Sequence, residues 1–318
     1  MSAAAVILAA GMGKRMKSDL PKVLHPVLGK PMVQRAAETA EAAGVDHIVV
    51  VVGHGRETVE PLLRKNGWDW AVQKEQLGTA HAVGCALPLL EDVDQVVILM
   101  GDVPLLRNHT VAELRDTLEK STAPMAVLTT NPPDVTGYGR VVMDPDGRID
   151  RIVEEKDATC SEKLIRTINT GIMAFNKDTL SAVLPLIGSR NAQGEFYLTD
   201  AVSLVRKSGS DVIPVFTEDW EEVAGVNNPL QLARCTAVMK KRITESHLLS
   251  GVTIPDPETV WIEDSVTIGR GALIGRNCRL SGETIIGAGS VIGDGSVISG
   301  AVINPCEIIP EYSIIGVD

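Results

Sequence analysis

The sequence predicts an α/β protein in which a mostly parallel sheet wrapped by helices is followed by a left-handed parallel β-helix. Two observations lead to this prediction of the fold. Up to about residue 226, short apolar runs alternate with amphipathic stretches, which is typical of a sheet covered by helices on both faces. Near the C-terminal end, apolar residues recur every six positions, which is typical of a solenoid with three short strands per coil.

The first part predicts six strands and several helices. The strands are Val6–Leu8, Ile48–Val52, Val96–Met100, Ala126–Leu128, Ile172–Phe175 and Val212–Val215. The helices are Met32–Ala43, Arg56–Lys65 and Thr110–Glu119. Because ligands of such sheets bind beyond the carboxyl ends of the strands, the loops that follow them are the candidate functional segments.

A change of pattern marks the second part. Residues from Pro229 to Ser250 carry one apolar stripe between a proline and Gly251, which predicts a connecting helix. Nine hexads then run from Val260 to Ser313 and predict three coils. Four isoleucines of these hexads precede glycines that suit tight corners, namely Gly269, Gly275, Gly287 and Gly293. We therefore expect three domains: 1–228, a linker helix at 229–250, and the β-helix at 251–318.

Composition excludes several classes of function. With a formal net charge of −11 and 3 % aromatic residues, the chain has neither the charge nor the stacking side chains that nucleic acid requires. The five cysteines show no zinc-binding spacing, which indicates reduced thiols. We expect a cytoplasmic protein without membrane spans, because no apolar run reaches the length of a bilayer.

The loop after the first strand predicts a phosphate site. Gly11 and Gly13 allow the backbone to approach an anion, and Lys14, Arg15 and Lys22 concentrate positive charge there. The loop is not a dinucleotide fingerprint, which requires a third glycine, and Gly13-Lys14 is not followed by the Ser or Thr of a P-loop. The alternative is an ordinary surface turn with solvated lysines.

Three further groups of residues indicate chemistry. Asp102 ends an apolar strand and suits Mg²⁺, which takes oxygen ligands and binds substrate phosphates; alternatively it caps a turn. Gln73, Gln76, Gly78 and Thr79 offer donors and acceptors that can read a base edge. Short polar groups that could bond sugar hydroxyls lie in other segments, although each alone is more often a turn or cap; they include Gly139, Glu154, Asn169, Tyr197 and Thr199.

Eight motifs in order resemble one enzyme family. They are LAAGMGKRMKSDLPKVLH, EQLGTAHA, GDVPL, GYGR, EEKDA, INTGI, NAQGEFYLTD and EVAGVNNPLQL. Together they resemble the uridyltransferase half of bacterial bifunctional N-acetylglucosamine-1-phosphate uridyltransferase/glucosamine-1-phosphate acetyltransferase, over residues 3 to about 250. The resemblance implies a nucleotidyltransferase fold for the first domain. It also implies a reaction of UTP with N-acetylglucosamine 1-phosphate to UDP-N-acetylglucosamine and pyrophosphate, with Mg²⁺ as cofactor.

The same resemblance implies roles for individual residues. The catalytic cations on the triphosphate are Arg15 and Lys22. The nucleotide site comprises Leu8, Ala10, Gly11, Gly13, Gln73, Gln76, Gly78 and Thr79. The sugar site comprises Gly139, Glu154, Asn169, Tyr197 and Thr199. The metal ligands are Asp102 and Asn227.

The sequence departs from the family pattern in two places. Residues 251–318 contain no histidine and no lysine, so we expect no acetyltransferase activity from this chain, because a general base of suitable pKa is missing. Met100 stands where the family commonly has a tyrosine.

The family forms trimers through the β-helix, and we expect a homotrimer here. Two alternatives stay open, which are another sugar-1-phosphate nucleotidyltransferase and an acyltransferase or assembly protein built on the β-helix.

Overall fold

The computed structural model describes residues 1–316, and its strands and α-helices are numbered here in chain order. The chain divides into two compact units. The first contains residues 1–25 and 32–228, and the second contains residues 26–31 and the chain from 229 onward.

The first unit is built on one nine-stranded sheet. Its strands are β1 (Ala3–Leu8), β4 (His47–Val52), β5 (Asp69–Val72), β6 (Gln95–Met100), β7 (Met125–Thr130), β8 (Arg140–Met143), β9 (Ile149–Val153), β10 (Ile168–Asn176) and β11 (Val212–Phe216). Their order is β11-β7-β10-β6-β1-β4-β5, with the β8-β9 pair beside β10. The predicted sheet is confirmed as mostly parallel, with β10 antiparallel to both β6 and β7.

Six helices belong to this unit. They are α1 (Met32–Ala42), α2 (Arg56–Asn66), α3 (Thr79–Ala86), α4 (Asn108–Lys120), α5 (Lys177–Val183) and α6 (Asp200–Lys207). Short 3₁₀ turns are Lys14–Met16, Lys22–Leu24, Leu87–Leu89, Glu162–Leu164, Leu184–Leu186 and Trp220–Val223. The predicted strands and long helices are all present. The elements that were not predicted are β5, β8, β9, α3, α5 and α6, each of which is too short to show a clear period.

Apolar side chains cover both faces of the sheet. Alternate residues of β1 point to opposite sides, so that Val6 lies in one core cluster and Ile7 in the other. The same division separates Ile98 from Leu99 on β6. A strand buried on both faces reads as a continuous apolar run, which explains the run seen in the sequence.

The second unit contains the long helix α7 (Pro229–Leu249) and the repeat region. The repeat strands are β12 (Trp261–Ile262), β13 (Thr267–Ile268), β14 (Leu273–Ile274), β15 (Arg279–Ser281), β16 (Ile285–Ile286), β17 (Val291–Ile292), β18 (Val297–Ser299), β19 (Val302–Ile303), β20 (Ile308–Ile309) and β21 (Ile314–Ile315), with a 3₁₀ turn at Pro257–Thr259. They stack in three parallel sheets, β12-β15-β18-β21, β13-β16-β19 and β14-β17-β20, as in a left-handed parallel β-helix. The isoleucines of the hexads form its core.

A small hairpin from the N-terminal part of the chain also belongs to the second unit. Sequence patterns place residues 26–31 in the first domain, whereas their contacts assign β2 (Pro26–Val27) and β3 (Lys30–Pro31) to the unit of α7. Lys30 forms an ion pair with Asp264, the Nζ–Oδ2 distance being 2.8 Å. A contact between residues so distant in sequence leaves no local pattern.

The repeat glycines have a different role from the one expected. Gly269, Gly275, Gly287 and Gly293 are outside the left-handed region, which is occupied instead by other turn residues such as Asn277 and Gly289. A Cβ atom added at any of the four would lie 2.3–2.5 Å from atoms of the next coil. These glycines directly follow β13, β14, β16 and β17 and allow close stacking of the coils at the turns, while other residues take the left-handed positions.

Among residues 1–316, none of the helices combines the length and the apolar character that crossing a bilayer demands.

Candidate active site

A cleft of about 220 Å³ lies at the carboxyl ends of β1 and β6 in the first unit. The two strands are paired in parallel, with Leu8 opposite Met100. Both therefore deliver their following loops to the same edge of the sheet. The cleft is lined by Leu8, Ala9, Ala10, Gly11, Lys22, Val23, Gln73, Gln76, Gly78, Thr79, Ala82, Met100, Asp102 and Glu195.

The structure brings most of the predicted nucleotide residues into this cleft. Leu8, Ala10, Gly11, Gln73, Gln76, Gly78 and Thr79 line it together with Lys22 and Asp102. Gly13 lies just outside, at the start of the 3₁₀ turn Lys14–Met16. Arg15 is exposed on that turn and is not among the lining residues.

Lys22 lies between two oxygen-bearing side chains. Its Nζ donates to Asp102 Oδ2 at 2.5 Å and to Asn227 Oδ1 at 3.2 Å. The backbone supports this arrangement, because the Val226 N–H donates to the Asp102 carbonyl at 2.8 Å and so joins the segment of Asn227 to the end of β6. Residues separated by up to 205 positions thus meet around one ammonium group.

Gly13 allows Lys22 to take this position. Its φ is +59°, and an added Cβ would lie 2.7 Å from Lys22 Cβ. A side chain at residue 13 would therefore be strained and would also displace Lys22. The glycine acts on the cation that follows it in the chain, in addition to opening the loop.

The loop from Gln73 to Thr79 forms the opposite wall. Gln73 is buried, and its Nε2 donates to the Gly78 carbonyl at 3.0 Å and lies 3.1 Å from His81 Nδ1. Gly78 has φ +119°, and an added Cβ would lie 2.5 Å from the carbonyl oxygen of Phe196. The Thr79 hydroxyl accepts from the Leu198 N–H at 2.9 Å, so this loop is bound to the 196–198 segment.

The predicted sugar residues form a second group that does not line this cleft. Glu154 Oε1 accepts from the Thr199 hydroxyl at 3.2 Å and would lie 3.3 Å from a Cβ added at Gly139. The Asn169 N–H donates to the Gly139 carbonyl at 2.9 Å. Tyr197 is buried two residues before Thr199. The Thr79–Leu198 hydrogen bond connects this group to the nucleotide loop through the chain.

Burial changes the acidity of this second group. Burial raises the pKa of Glu154, the hydrogen bond from Thr199 offsets part of that effect, and the negative charges of Asp157 and Asp200 add to it. Burial and Asp157 likewise raise the pKa of Asp200. The pKa of Tyr197 is also raised, chiefly by burial. Raised carboxyl pKa values among hydrogen-bonding groups are typical of functional sites.

Comparison with known proteins agrees with this geometry. Residues 5–191 match the MobA-like NTP transferase domain, and they include both walls of the cleft. The chain belongs to this family of NTP transferases. Residues 265–300 of the transferase match the bacterial transferase hexapeptide, with six repeats.

Curated relatives are similar over most of the transferase. This chain is 48 % identical over 265 residues to "Bifunctional protein GlmU" of Brevibacillus brevis, and the match covers 83 % of this chain and 57 % of that protein. The protein of the same name from Carboxydothermus hydrogenoformans is 48 % identical over 264 residues, with coverages of 83 % and 59 %. That from Oceanobacillus iheyensis is 46 % identical, with coverages of 83 % and 58 %. The chain thus spans 57–59 % of the length of these relatives, and the resemblance predicted from the motifs is confirmed.

Some residues of the transferase site were not predicted from sequence. Val23, Ala82 and Glu195 line the cleft, and His81 contacts Gln73 behind it. His81 and Glu195 lie within motifs that carried the resemblance, EQLGTAHA and NAQGEFYLTD, which is the signal that could have identified them. Val23 and Ala82 also lie within quoted motifs, LAAGMGKRMKSDLPKVLH and EQLGTAHA, but their side chains suggest no chemistry, because an apolar side chain next to a cleft looks like any core residue.

Proposed function

We propose that this chain transfers UMP from UTP to N-acetylglucosamine 1-phosphate, giving UDP-N-acetylglucosamine and pyrophosphate. The observation that carries the proposal is the cluster of Lys22, Asp102 and Asn227 at a cleft lined by glycines and amide side chains. The similarity to proteins named "Bifunctional protein GlmU" supports the assignment of this reaction. UTP and the sugar phosphate are accordingly the proposed substrates.

Asp102 and Asn227 fit a divalent metal ion, for which we propose Mg²⁺. Their Oδ atoms already converge on one cation, the Lys22 ammonium group, so that the ammonium marks where positive charge is stabilised. Mg²⁺ takes oxygen ligands and usually binds through one or two protein groups plus substrate phosphates, and Asp102 and Asn227 would be those groups. When bound, the ion would neutralise phosphate charge.

Catalysis would then depend on alignment and charge. The phosphate of the sugar 1-phosphate is already an anionic nucleophile, so attack on the α-phosphorus needs no general base. Lys22 would stabilise the charge that develops on the triphosphate, and Arg15, exposed on the neighbouring turn, would approach the phosphates from solvent. Gly11 and Gly13 would admit the phosphates close to the backbone.

The sugar would be received by the group around Glu154. Glu154, Asn169 and Thr199 supply acceptors and donors suited to hydroxyl and acetamido groups, while Gly139 leaves room beside the carboxylate.

Met100 lines the nucleotide cleft, and its sulfur would lie 3.3 Å from a Cβ added at Gly171. A thioether there provides an apolar contact and only a weak acceptor.

Substrate choice can be tested directly. Each of four nucleoside triphosphates is incubated with a panel of sugar 1-phosphates and Mg²⁺, and pyrophosphate release is measured. We expect the highest kcat/KM for UTP with N-acetylglucosamine 1-phosphate. A higher value for another pair would favour a different sugar nucleotidyltransferase, and no release with any pair would favour a binding or assembly role. Omission of the divalent ion, with EDTA present, should abolish release.

We predict that residues 251–318 do not catalyse acetyl transfer, because they contain no histidine and no lysine that could act as the general base. Incubation of the chain with acetyl-CoA and glucosamine 1-phosphate should release no CoA above background. Release of CoA at a rate dependent on both substrates would contradict this.

We further propose a cytoplasmic location, which agrees with the reduced cysteines expected from their spacing.

A further inference from the structure

The side-chain amide nitrogen of Gln73 is held by two neighbours, the backbone carbonyl of Gly78 and the ring of His81. Gln73 is only 4 % exposed, yet it belongs to the cleft lining. Its Nε2 atom lies 3.0 Å from the carbonyl oxygen of Gly78 and 3.1 Å from Nδ1 of His81. His81 is on α3, and its other nitrogen, Nε2, lies 4.0 Å from the Cys85 sulfur.

These contacts determine which end of the amide is which. A backbone carbonyl can only accept a hydrogen bond, so the amide atom next to Gly78 must be the NH₂ group. His81 Nδ1, next to the same nitrogen, must then accept the second hydrogen, which requires the neutral ring with its proton on Nε2. With both hydrogens used, the carbonyl oxygen Oε1 is the part of the amide that remains for a ligand.

We propose that His81 is a positioning residue that sets the pyrimidine specificity of the transferase through Gln73. Uracil carries a hydrogen on N3, which Oε1 of Gln73 can accept. Cytosine carries a lone pair on N3, which requires a donor. Because His81 takes the second amide hydrogen, no N–H of Gln73 is left over for cytosine. The inference rests on the proposed function, which brings the base to Gln73.

The role of His81 differs from that of Gly78. The Gly78 carbonyl settles the direction of the amide but takes only one hydrogen. Without an acceptor at residue 81, the second hydrogen would be unpaired in a buried place, and such a group finds another partner when it can. The amide nitrogen then keeps only one of its two hydrogen bonds, so the amide can turn and offer the freed hydrogen to a base acceptor in the cleft, such as N3 of cytosine.

The test uses two variants of nearly equal size. His81→Leu removes the acceptor, whereas His81→Asn places an oxygen close to the position of Nδ1. For each variant, kcat/KM is measured for UTP and for CTP with N-acetylglucosamine 1-phosphate. The ratio of the two values from one preparation does not depend on the fraction of active protein. His81→Met replaces the leucine variant if the latter does not fold.

We expect the preference for UTP over CTP to fall by at least about ten-fold in His81→Leu, the size of one misplaced base contact. His81→Asn should keep most of the wild-type ratio, and the KM for the sugar phosphate should not change in either. Cys85→Ala, which removes only the contact to the far nitrogen of His81, should leave the ratio as it is.

Two results would overturn the inference separately from the proposed function. If wild-type protein prefers UTP and both His81 variants keep that preference, the function stands and the inference is wrong. If both variants lose it equally, His81 has a general structural role and the inference is again wrong. If wild-type protein turns over neither UTP nor CTP, the proposed function fails and the inference fails with it.

Discussion

At the scale of single residues, the site depends on charges that neighbours hold in place. Lys22 is the clearest case, because its ammonium group bonds Asp102 and Asn227 while its Cβ packs where Gly13 has no side chain. In this structure the ammonium group is therefore held by the two side chains that are proposed to bind the metal ion. When the ion takes that place, Lys22 would be released toward the triphosphate, next to the same two side chains.

Replacing the proposed catalytic cations tests this arrangement. Lys22→Ala and Arg15→Ala should each lower kcat by at least about 10²-fold, the usual loss when one transition-state donor is removed. The measurement is pyrophosphate release at saturating UTP and sugar phosphate. Lys65→Ala, which removes one exposed positive charge at the end of α2, serves as the control and should keep wild-type turnover. Near-normal kcat in either site variant would remove that residue from the mechanism.

Glu154 should make stability depend on pH in a direction opposite to most carboxylates. Because burial raises its pKa in the folded state, the folded protein binds more protons than the unfolded chain above the ordinary value of 4.5. The free energy of unfolding therefore falls as the pH rises from about 4.5 through the raised pKa. In Glu154→Gln this contribution is absent.

The measurement is urea unfolding of wild type and Glu154→Gln at several pH values from 4 to 8. We expect the free energy of unfolding of wild type to fall, relative to that of Glu154→Gln, as the pH rises. A difference that stays constant across this range would show that Glu154 does not titrate with a raised pKa. For Asp134→Asn, the difference from wild type should stay constant from pH 4 to 8, because a backbone hydrogen bond lowers the pKa of this exposed carboxylate from 3.8 and its titration lies below this range.

At the scale of elements, glycines at close contacts decide how loops meet. Gly78 connects the Gln73–Thr79 loop to α3, and its backbone lies against that of Phe196. Gly84 lies within α3 itself, where a Cβ would have no atom within 4 Å. The same residue type is thus required at one end of the helix and dispensable inside it.

This pair supplies a matched prediction. Gly78→Ala combines an unfavourable φ with backbone overlap, so it should displace the loop, raise the KM for UTP and lower the free energy of unfolding by about 2 kcal/mol. Gly84→Ala should raise the free energy of unfolding by about 0.5–1 kcal/mol, the gain of alanine over glycine in a helix. Thermal and urea unfolding together with UTP kinetics measure both. Equal behaviour of the two variants would contradict this account of Gly78.

A buried carboxylate anchors another element. Glu222 is 1 % exposed and accepts hydrogen bonds from the hydroxyls of Thr110 and Thr217 and from the Arg107 N–H. The turn that carries it leads within a few residues to Asn227. Breaking one partner of such a network leaves the others unpaired in a dry interior.

Glu222→Ala should therefore lower the free energy of unfolding by about 3 kcal/mol, because three donors lose their acceptor. It should also weaken binding of the divalent ion, as seen in a higher metal concentration at half-maximal rate. Glu221→Ala, one residue away and exposed, is the control and should behave as wild type. Unchanged stability of Glu222→Ala would show that the network is dispensable.

At the scale of the whole molecule, the β-helix presents apolar residues that no described contact covers. Val302, Ile308, Tyr312 and Ile314 are 65–75 % exposed, in the last coil of the described chain. Exposed apolar surface of this kind is typical of an interface between protein chains. We therefore propose that copies of this chain associate through the β-helix, with three copies as the resemblance implies.

The mass in solution tests the oligomeric state. Light scattering after size exclusion should give three times the chain mass of 33.9 kDa. Ile308→Asp should lower this mass toward that of one chain, because a charge would be buried in the interface. Leu249→Asp, at an exposed apolar residue at the end of α7, should leave the mass unchanged. A monomeric wild-type chain would contradict the proposal.

Local patterns were sufficient for the main elements of this protein. Apolar runs predicted the six main strands, and the six-residue period predicted the coils, because each reflects burial repeated along a single element. Eight motifs in order were sufficient for the family. Short elements such as α3 and β5 escaped, since a few residues do not complete a detectable period.

The sequence by itself determined the composition of each loop, and only the tertiary structure decided which loops meet. It brought Asn227 to Asp102 and Lys22, placed His81 behind Gln73, and assigned residues 26–31 to the second unit. The physical reason is that strand order and chain crossover, which carry no local signal, bring together side chains from distant positions. Hydrogen bonds across such distances exist only after the chain has folded.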